Sequence, residues 1–79
     1  MKYVYILQSV TDETKFYSGL TDDLKLRLKK HNDLEVKHTS KYAPWKIKTY
    51  LAFSIEAQAV LFERYLKTAS GRAFAKKRL

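Results

Sequence analysis

The first apolar segment of the chain, residues 2–8, alternates between two faces, and both faces are hydrophobic. One face carries Tyr3, Tyr5 and Leu7, and the other carries Val4 and Ile6. The content of tyrosine, valine and isoleucine is typical of a β-strand. Because a strand that is apolar on both faces is covered on both faces, this segment is predicted to be the central strand of a sheet.

Two more strands are predicted along the chain. A polar turn at residues 11–15 separates the first strand from a second one at residues 16–20, which returns as its hairpin partner. Residues 46–53 have the composition of a third strand. Before it, residues 33–46 form a long polar loop that contains Pro44 near its end. Loops of this length without secondary structure of their own are often functional.

The first predicted helix follows Thr21, which is the expected N-cap, and two aspartates that suit the positive end of the helix dipole. Helical spacing places Leu24 and Leu28 in the buried stripe. Arg27 and His31 lie one turn apart at the edge of that stripe. The Asn-Asp pair that comes next is predicted to end the helix.

A second helix is predicted after Ser54, which can act as its cap. Its apolar stripe comprises Ile55, Ala59, Phe62, Leu66 and Ala69. Glu63 lies at the edge of the stripe, Gly71 interrupts the pattern, and a short basic helix is expected to follow. The order β-β-α-β-α-α predicts an α/β (α+β) fold in which helices flank a small three-stranded central sheet. We expect one domain that spans residues 1–79.

The charge of the chain points to a polyanionic partner. Sixteen lysines and arginines face eight aspartates and glutamates, which gives a net charge of +8. No acidic residue follows Glu63, whereas the C-terminal segment is rich in basic residues. An excess of this kind favours nucleic acid through the release of counterions. Charge alone also fits a merely soluble basic protein or a basic peptide at a membrane surface.

Composition excludes several other classes of protein. The chain has no cysteine, so disulfides and thiolate metal sites are excluded, and only His31 and His38 remain as strong zinc ligands. No apolar run is long enough to span a membrane, and the apolar start is too short and too aromatic for a signal peptide. We therefore expect an intracellular, cytoplasmic protein. A core this small leaves room for stabilisation by self-association, as a weak homodimer.

The residues of the first two strands and the two helices together resemble a known family. Tyr3-Val4-Tyr5 and Tyr17-Ser18-Gly19 are similar to the paired signature of the GIY-YIG nucleases. Arg27 and His31 follow on the first helix, where the family also places an arginine, and Glu63 lies where the family keeps its metal-binding glutamate. The segment 67–78 resembles the tail of the short, stand-alone bacterial branch. The resemblance covers essentially the whole chain.

The sequence departs from the family pattern at three points. Tyr3 and Val4 replace the first glycine and isoleucine of the name motif, and Ser18 replaces the isoleucine of the second half. Many members also carry an asparagine after the glutamate, whereas this chain has none beyond Asn32.

The resemblance implies a set of roles for the matching residues. Glu63 would hold a single Mg²⁺ or Mn²⁺ near the leaving oxygen, and one carboxylate suffices because Mg²⁺ keeps several waters. Arg27 would neutralise the scissile phosphate with its planar fork of donors. Tyr5 or Tyr17, most often the first, would orient or deprotonate the attacking water, although a phenol is a poor base without a nearby cation. His31 would relay protons or contact phosphate.

Each of these side chains also has an ordinary structural interpretation. Glu63 can pair with Lys67 one turn later on the helix, and Arg27 can lie along the apolar surface of its own helix. The tyrosines can be packing residues, and His31 can be a cation that suits the helix C-terminus. Gly19 is expected to allow close backbone approach at the junction between strand and helix.

Basic side chains are expected to bind the nucleic-acid backbone, and the predicted set is Lys41, Arg64, Lys67, Arg72, Lys76 and Lys77. Beside the long loop, Trp45 can either stack on a base or anchor the loop to the core.

Three functions are compatible with these observations. The leading hypothesis is a metal-dependent endonuclease that acts on nucleic acid, with DNA favoured and RNA still open, and with 5′-phosphate products. A role in repair or recombination is expected by analogy with the excision-repair members of the family. The second is a non-catalytic nucleic-acid-binding module on the same scaffold, which the absent asparagine and the basic tail favour. The third is a basic domain that binds a protein partner.

Overall fold

A computed structural model describes residues 1–79 and confirms the predicted order β-β-α-β-α-α. The elements are β1 (Lys2–Ser9), β2 (Phe16–Thr21), α1 (Leu24–Asn32), a 3₁₀ helix η1 (Lys37–Tyr42), β3 (Trp45–Phe53), α2 (Glu56–Leu66) and α3 (Ala69–Arg78). None of the helices has the length and apolar character that crossing a lipid bilayer requires.

The three strands form an antiparallel sheet in the order β2-β1-β3, so β1 is the central strand, as predicted. Tyr5 lies opposite Gly19 of β2 on one side and opposite Tyr50 of β3 on the other. The pairing of β1 with β3 shifts by one residue, because Ile6 pairs with Thr49 and the next residue of β1 pairs with Ile47. The residue between these two is therefore the extra residue of a β-bulge.

The two apolar faces of β1 build two separate small cores, which is why both faces are hydrophobic. Val4 and Ile6 pack against Ala59 and Leu66 of α2. Tyr5 and Leu7 pack with Trp45 on the opposite face, where the partly buried residues Leu24 and Leu28 of α1 cover them. The sheet is thus the middle layer, with α1 on one face and α2 on the other.

The helix starts differ from those expected. Asp23, not Thr21, caps α1, because its side chain accepts a hydrogen bond from the Leu26 N–H at 3.0 Å. Thr21 is the last residue of β2, and its hydroxyl bonds to the backbone of Asp23 instead. At α2 the N-cap position belongs to Ile55, which offers no side-chain cap, so the role expected for Ser54 is wrong.

The predicted stripe of α2 is correct in its middle and wrong at its ends. Ala59 and Leu66 are buried and Phe62 is half-buried. Ile55 precedes the helix and is 53% exposed, and Ala69 is the first residue of α3. The helical path is interrupted between α2 and α3 at residues 67–68, and Thr68 is the N-cap of α3.

Gly71 does not interrupt the pattern but belongs to the first turn of α3. A Cβ at this position would overlap the carbonyl group of Tyr65. The glycine is therefore needed for the close approach of α3 to the end of α2.

The loop between α1 and β3 is more ordered than its polar sequence indicates, because η1 lies within it. Asn32 clamps the far end of the loop: its amide donates to the Trp45 carbonyl at 3.0 Å and its side-chain oxygen accepts from the Trp45 N–H. The indole of Trp45 is buried and donates to the Thr39 carbonyl at 2.8 Å. Trp45 thus anchors the loop to the core and offers no free face for stacking on a base.

Candidate active site

The central feature of the site is the hydroxyl group of Tyr5, which reaches from the middle of the sheet towards its β2 edge. Tyr5 is only 1% exposed and lies directly opposite Gly19. A Cβ at Gly19 would overlap the Oη and Cζ atoms of Tyr5. Gly19 therefore gives space to a side chain of the neighbouring strand, which corrects the role expected for it at the strand-to-helix junction.

Two side chains of α1 meet the Tyr5 hydroxyl, because they lie one turn apart on the helix face that covers β1. The Nε–H of Arg27 donates to Tyr5 Oη at 3.1 Å. The Nε2 atom of His31 lies 3.0 Å from the same oxygen. The terminal nitrogens of the Arg27 guanidinium form no hydrogen bond and no ion pair within the protein, so they are available to an anionic ligand.

Thr39 of η1 is the hydrogen-bond partner of His31 Nδ1, and its contacts indicate the tautomer of the imidazole. The single hydroxyl proton of Thr39 is donated to the Val36 carbonyl at 3.1 Å. With that proton used, we assign the 2.7 Å contact between Thr39 Oγ1 and His31 Nδ1 as a hydrogen bond that Nδ1–H donates. Nε2 of a neutral imidazole then has a lone pair, which accepts the hydroxyl proton of Tyr5.

His31 is completely buried, and its imidazole is neutral at physiological pH. Burial, and next the positive charge of Arg27, lower the pKa of His31 from 6.5 to about 4. The alternative of a cation that suits the C-terminus of α1 is therefore wrong. The side chain contributes hydrogen bonds to the site rather than charge.

Burial also changes the pKa of the Tyr5 hydroxyl group. It raises the pKa of Tyr5 above 10.0, and the hydrogen bond and positive charge of Arg27 oppose this rise without cancelling it. The phenol consequently keeps its proton at neutral pH. Any role of Tyr5 as a base needs a second acceptor for that proton, and Nε2 of His31 is in position for it.

Tyr17 of β2 borders the same group of side chains. Its ring centroid lies 5.2 Å from that of His31, and its hydroxyl forms no hydrogen bond within the protein. The Nζ atom of Lys67 lies 4.8 Å from the centroid of the Tyr17 ring. Tyr17 is half-buried, so its hydroxyl can meet a ligand that approaches the β2 edge.

Glu63 of α2 and Lys67, which directly follows α2, lie at the same β2 edge of the sheet. Lys67 Nζ donates to the Ser18 carbonyl at 2.7 Å and lies 3.2 Å from Glu63 Oε2. The Glu63 side chain is only 18% exposed, and its negative charge contributes to the raised pKa of Tyr5. The expected ion pair with Lys67 is thus present, but it lies beside the tyrosines rather than on a solvated helix face.

The donor set at Glu63 fits a hard divalent cation that keeps most of its waters. No group of three or more histidine, aspartate or glutamate side chains comes together anywhere in the chain, so a cage built from protein ligands alone is absent. One carboxylate, waters and substrate phosphate are a normal ligand set for Mg²⁺. Oε1 of Glu63 is not engaged by Lys67, so it is the oxygen that would take part.

The predicted phosphate-binding residues separate into two groups. Lys67, Arg72 and Lys76 line one groove between the β1–β2 hairpin and α3. The others do not line it: Lys41 lies next to the Tyr42 ring at the end of η1, and Arg64 and Lys77 are exposed on α2 and α3.

Sequence reasoning missed Thr39 as the partner of His31, because a threonine within a polar loop has no periodic pattern to mark it. It also missed Lys15, Phe16 and Lys48, which line the groove with Lys67. The signal available in the sequence was an aromatic residue, Phe16, between a lysine and a tyrosine. Lys48 carries none, since its position depends on the bulge in β3.

Comparison with known proteins supplies a family match for the chain. The model of the family described as GIY-YIG catalytic domain matches residues 1–78. No curated protein matches the chain.

Proposed function

Because this chain belongs to the GIY-YIG catalytic domain family, whose members are nucleases that act on nucleic acid, we propose that it is a divalent-metal-dependent endonuclease. The proposed catalytic residues are Tyr5, Tyr17, Arg27, His31 and Glu63. The observation that carries the proposal is the series of hydrogen bonds that joins Arg27, Tyr5 and His31, with the Glu63 carboxylate near enough for its charge to raise the pKa of Tyr5.

The first role of the site is to hold the scissile phosphate. Arg27 donates its Nε–H to Tyr5, and its terminal nitrogens donate to two nonbridging oxygens of the phosphate. Tyr17 contributes a free hydroxyl at the same edge of the sheet. When bound at Glu63, Mg²⁺ or Mn²⁺ would supply further charge neutralisation at the phosphate and the leaving 3′ oxygen.

The second role is to move a proton from the attacking water. Tyr5 Oη accepts the proton of the water while its own hydroxyl proton passes to Nε2 of His31. The imidazole becomes a cation, and its Nδ1–H keeps its hydrogen bond to Thr39 Oγ1. The phosphate supports this step, because its negative charge offsets the Arg27 charge that lowers the pKa of His31 in the free protein. The water oxygen bonds to phosphorus as the bond from phosphorus to the 3′ oxygen breaks. The 3′ oxygen leaves with that electron pair and takes a proton from solvent, so the products are a 3′ hydroxyl and a 5′ phosphate.

We propose DNA in preference to RNA, in repair or recombination, and this finer assignment rests on the resemblance of the chain to excision-repair members of the family. A pair of oligonucleotides of identical sequence, one of DNA and one of RNA, tests it directly. Faster cleavage of the RNA would contradict it.

A weak homodimer is also proposed, because exposed apolar side chains of α2 and α3 lie close together at Leu61, Tyr65 and Phe74. Sedimentation of the protein over a range of concentrations tests this association. A mass that stays monomeric at every concentration would contradict it.

The test of the endonuclease is a cleavage panel of supercoiled, single-stranded and branched DNA with Mg²⁺ and Mn²⁺. Glu63→Gln and Tyr5→Phe should each lower the rate by at least about a hundredfold while the fold is preserved. Glu56→Gln is the matched control, since Glu56 begins the same helix and pairs with Lys2 at the surface. A folded Glu63→Gln protein that cleaves like wild type would disprove the metal role. A wild-type protein that binds DNA and cleaves none of the panel would favour a non-catalytic binding module.

A further inference from the structure

A groove of about 900 Å³ lies between the β1–β2 hairpin and α3. Its floor is apolar and includes Ile6, Leu66 and Ala75, which belong to or border the core on the α2 face of the sheet. Phe16 of β2 lines one wall. We call this feature the hairpin groove.

The hairpin groove has a strong positive charge that the protein itself does not neutralise. Five basic side chains line it: Lys15, Lys48, Lys67, Arg72 and Lys76. Only Lys67 forms an ion pair, with Glu63. The one acidic residue of the lining, Glu13, pairs with Lys46, which lies outside the groove. The remaining four cations are therefore available to a polyanion.

Phe16 adds an aromatic surface to this charge. The side chain is 51% exposed, although it lies on the strand face that otherwise packs against the core. The Nζ atom of Lys48 is 5.4 Å from the centroid of the Phe16 ring. Lys48 reaches this position because it is the extra residue of the bulge in β3, between Ile47 and Thr49. The bulge thus pairs a cation with an exposed ring.

Apolar floor, exposed ring and unpaired cations together are the features that bind single-stranded nucleic acid. Bases of a single strand expose their flat faces to aromatic side chains, while the phosphates meet lysines and arginines. In a duplex the same faces are hidden within the stack, so a duplex would use the cations and leave Phe16 without a partner.

We propose that the hairpin groove binds a single-stranded flank of the nucleic acid, with a base stacked on Phe16 and its phosphates on Lys48, Arg72 and Lys76. The groove shares Tyr17 and Lys67 with the site at Glu63, so a strand that leaves the scissile phosphate enters it directly. The substrate class that follows is DNA in which an unpaired segment adjoins the cleavage point. This substrate assignment rests on the proposed endonuclease function, whereas binding of the strand in the groove does not.

The test measures binding without cleavage, in EDTA, by fluorescence anisotropy of the full chain. The probes are a labelled decathymidylate, a blunt duplex and a labelled decaglutamate. Phe16→Ala should weaken binding of the decathymidylate by between about fivefold and about a hundredfold and leave the duplex unchanged. Phe16→Tyr should restore binding. Lys48→Gln should lower the salt slope for the single strand by about 0.7 log unit, the contribution of one phosphate.

Tyr50→Ala is the matched control, because Tyr50 is 52% exposed on β3 but pairs with Tyr5 and so lies on the other face of the sheet. It should bind the decathymidylate like wild type. Three outcomes would overturn the proposal. Phe16→Ala and Tyr50→Ala could lower the affinity for the decathymidylate equally, or Phe16→Ala could leave it unchanged. Phe16→Ala could also lower the affinities for single strand and duplex equally. A decaglutamate that binds as tightly and with the same dependence on Phe16 would also overturn it, in favour of an acidic protein segment.

Cleavage in Mg²⁺ then tests the substrate class separately. The wild type should cleave a duplex with a single-stranded flank faster than a blunt duplex, and Phe16→Ala should lose this preference while it keeps the blunt-duplex rate. If no substrate is cleaved, the endonuclease function fails while the anisotropy result still decides the groove. If both duplexes are cleaved equally by wild type, the assigned substrate class is wrong.

Discussion

The hydroxyl group of Tyr5 lies 3.0 Å from Nε2 of His31 in the interior of the protein, and we assign the phenol as the donor of this hydrogen bond. The direction of this hydrogen bond follows from the other side of the imidazole, where Thr39 Oγ1 accepts a hydrogen bond from Nδ1–H. A residue of the 3₁₀ helix thereby determines whether the tyrosine has an acceptor for its proton.

Thr39→Val should remove this control with little change in shape. The Nδ1–H would lose its acceptor, so the imidazole would favour the tautomer with a proton on Nε2, which cannot accept from Tyr5. We expect kcat to fall by about tenfold to a hundredfold with KM nearly unchanged, and the free energy of unfolding to fall by about 1–3 kcal/mol. Steady-state cleavage kinetics and a denaturant titration measure the two effects.

Thr39→Ser is the matched control, because it keeps the hydroxyl and loses only a methyl group. It should retain most of the kcat of the wild type. Equal rates for the serine and valine proteins would mean that Thr39 acts through packing alone.

The buried histidine should make stability depend on pH. Folding lowers the pKa of His31 from 6.5 to about 4, so between these pH values the unfolded chain binds a proton that the folded chain does not. The free energy of unfolding should therefore be highest above pH 6.5 and fall as the pH decreases towards 4, by about 3 kcal/mol in total. Denaturant titrations across this range measure the slope.

His31→Gln should remove most of this slope, whereas His38→Gln should keep it, since His38 is an exposed residue of η1. Asp12 adds little to this slope, because hydrogen bonds from Thr14 lower its pKa below 3.8 and most of its contribution is lost below pH 4. A wild-type profile that is flat between pH 4 and 6.5 would show that His31 becomes protonated within the fold.

The fold could be predicted from the sequence because each element has a local signature. The doubly apolar strand at residues 2–8 and the helical stripe around Ala59 and Leu66 require no knowledge of the rest of the chain. Helix starts were less predictable, since both Thr21 and Asp23 are good caps and only the path of β2 decides between them.

The site could be predicted only as far as residue types and the family resemblance allow. Arg27 and His31 were expected to share a helix face, and they meet at the Tyr5 hydroxyl. The burial of His31, its bond to Thr39 and the position of Lys48 all depend on how a loop and a bulge pack. Such contacts join residues far apart in sequence, so no periodic pattern records them.

Gly19→Ala should damage the site through Tyr5. The new methyl group would overlap the phenol, and relief requires a shift of β2 or of the tyrosine. We expect a loss of about 1–3 kcal/mol in the free energy of unfolding, together with cleavage at or below the level of Tyr5→Phe. Thermal unfolding is a sufficient measurement, because 1 kcal/mol lowers Tm by about 4–8 °C in a domain of this size.

A double-mutant cycle with Tyr5→Ala isolates the overlap. Without the phenol the methyl group has space, so the double variant should be more stable than the sum of the two single losses indicates. Ser18→Ala is the neighbouring control and keeps the carbonyl that Lys67 contacts. Strictly additive losses would locate the effect of Gly19 elsewhere, in the backbone of β2.

Lys67→Met should strengthen divalent-cation binding at Glu63. In the free protein the ammonium group lies 3.2 Å from Glu63 Oε2, so a cation that arrives there meets a carboxylate already paired with a positive charge. Lys67 is 46% exposed and water screens much of this interaction, which limits the expected gain to about 1 kcal/mol, or about fivefold in Kd. Electron paramagnetic resonance of free Mn²⁺ measures the affinity without any cleavage.

Lys76→Met is the matched control, because Lys76 belongs to the same groove but pairs with no acid. Its effect on Mn²⁺ affinity should be small. The opposite possibility is that Lys67, through its bond to the Ser18 carbonyl, holds Glu63 in the orientation that binds the cation. In that case Lys67→Met would weaken Mn²⁺ binding, so the direction of the change decides whether the lysine competes with the cation or positions its ligand.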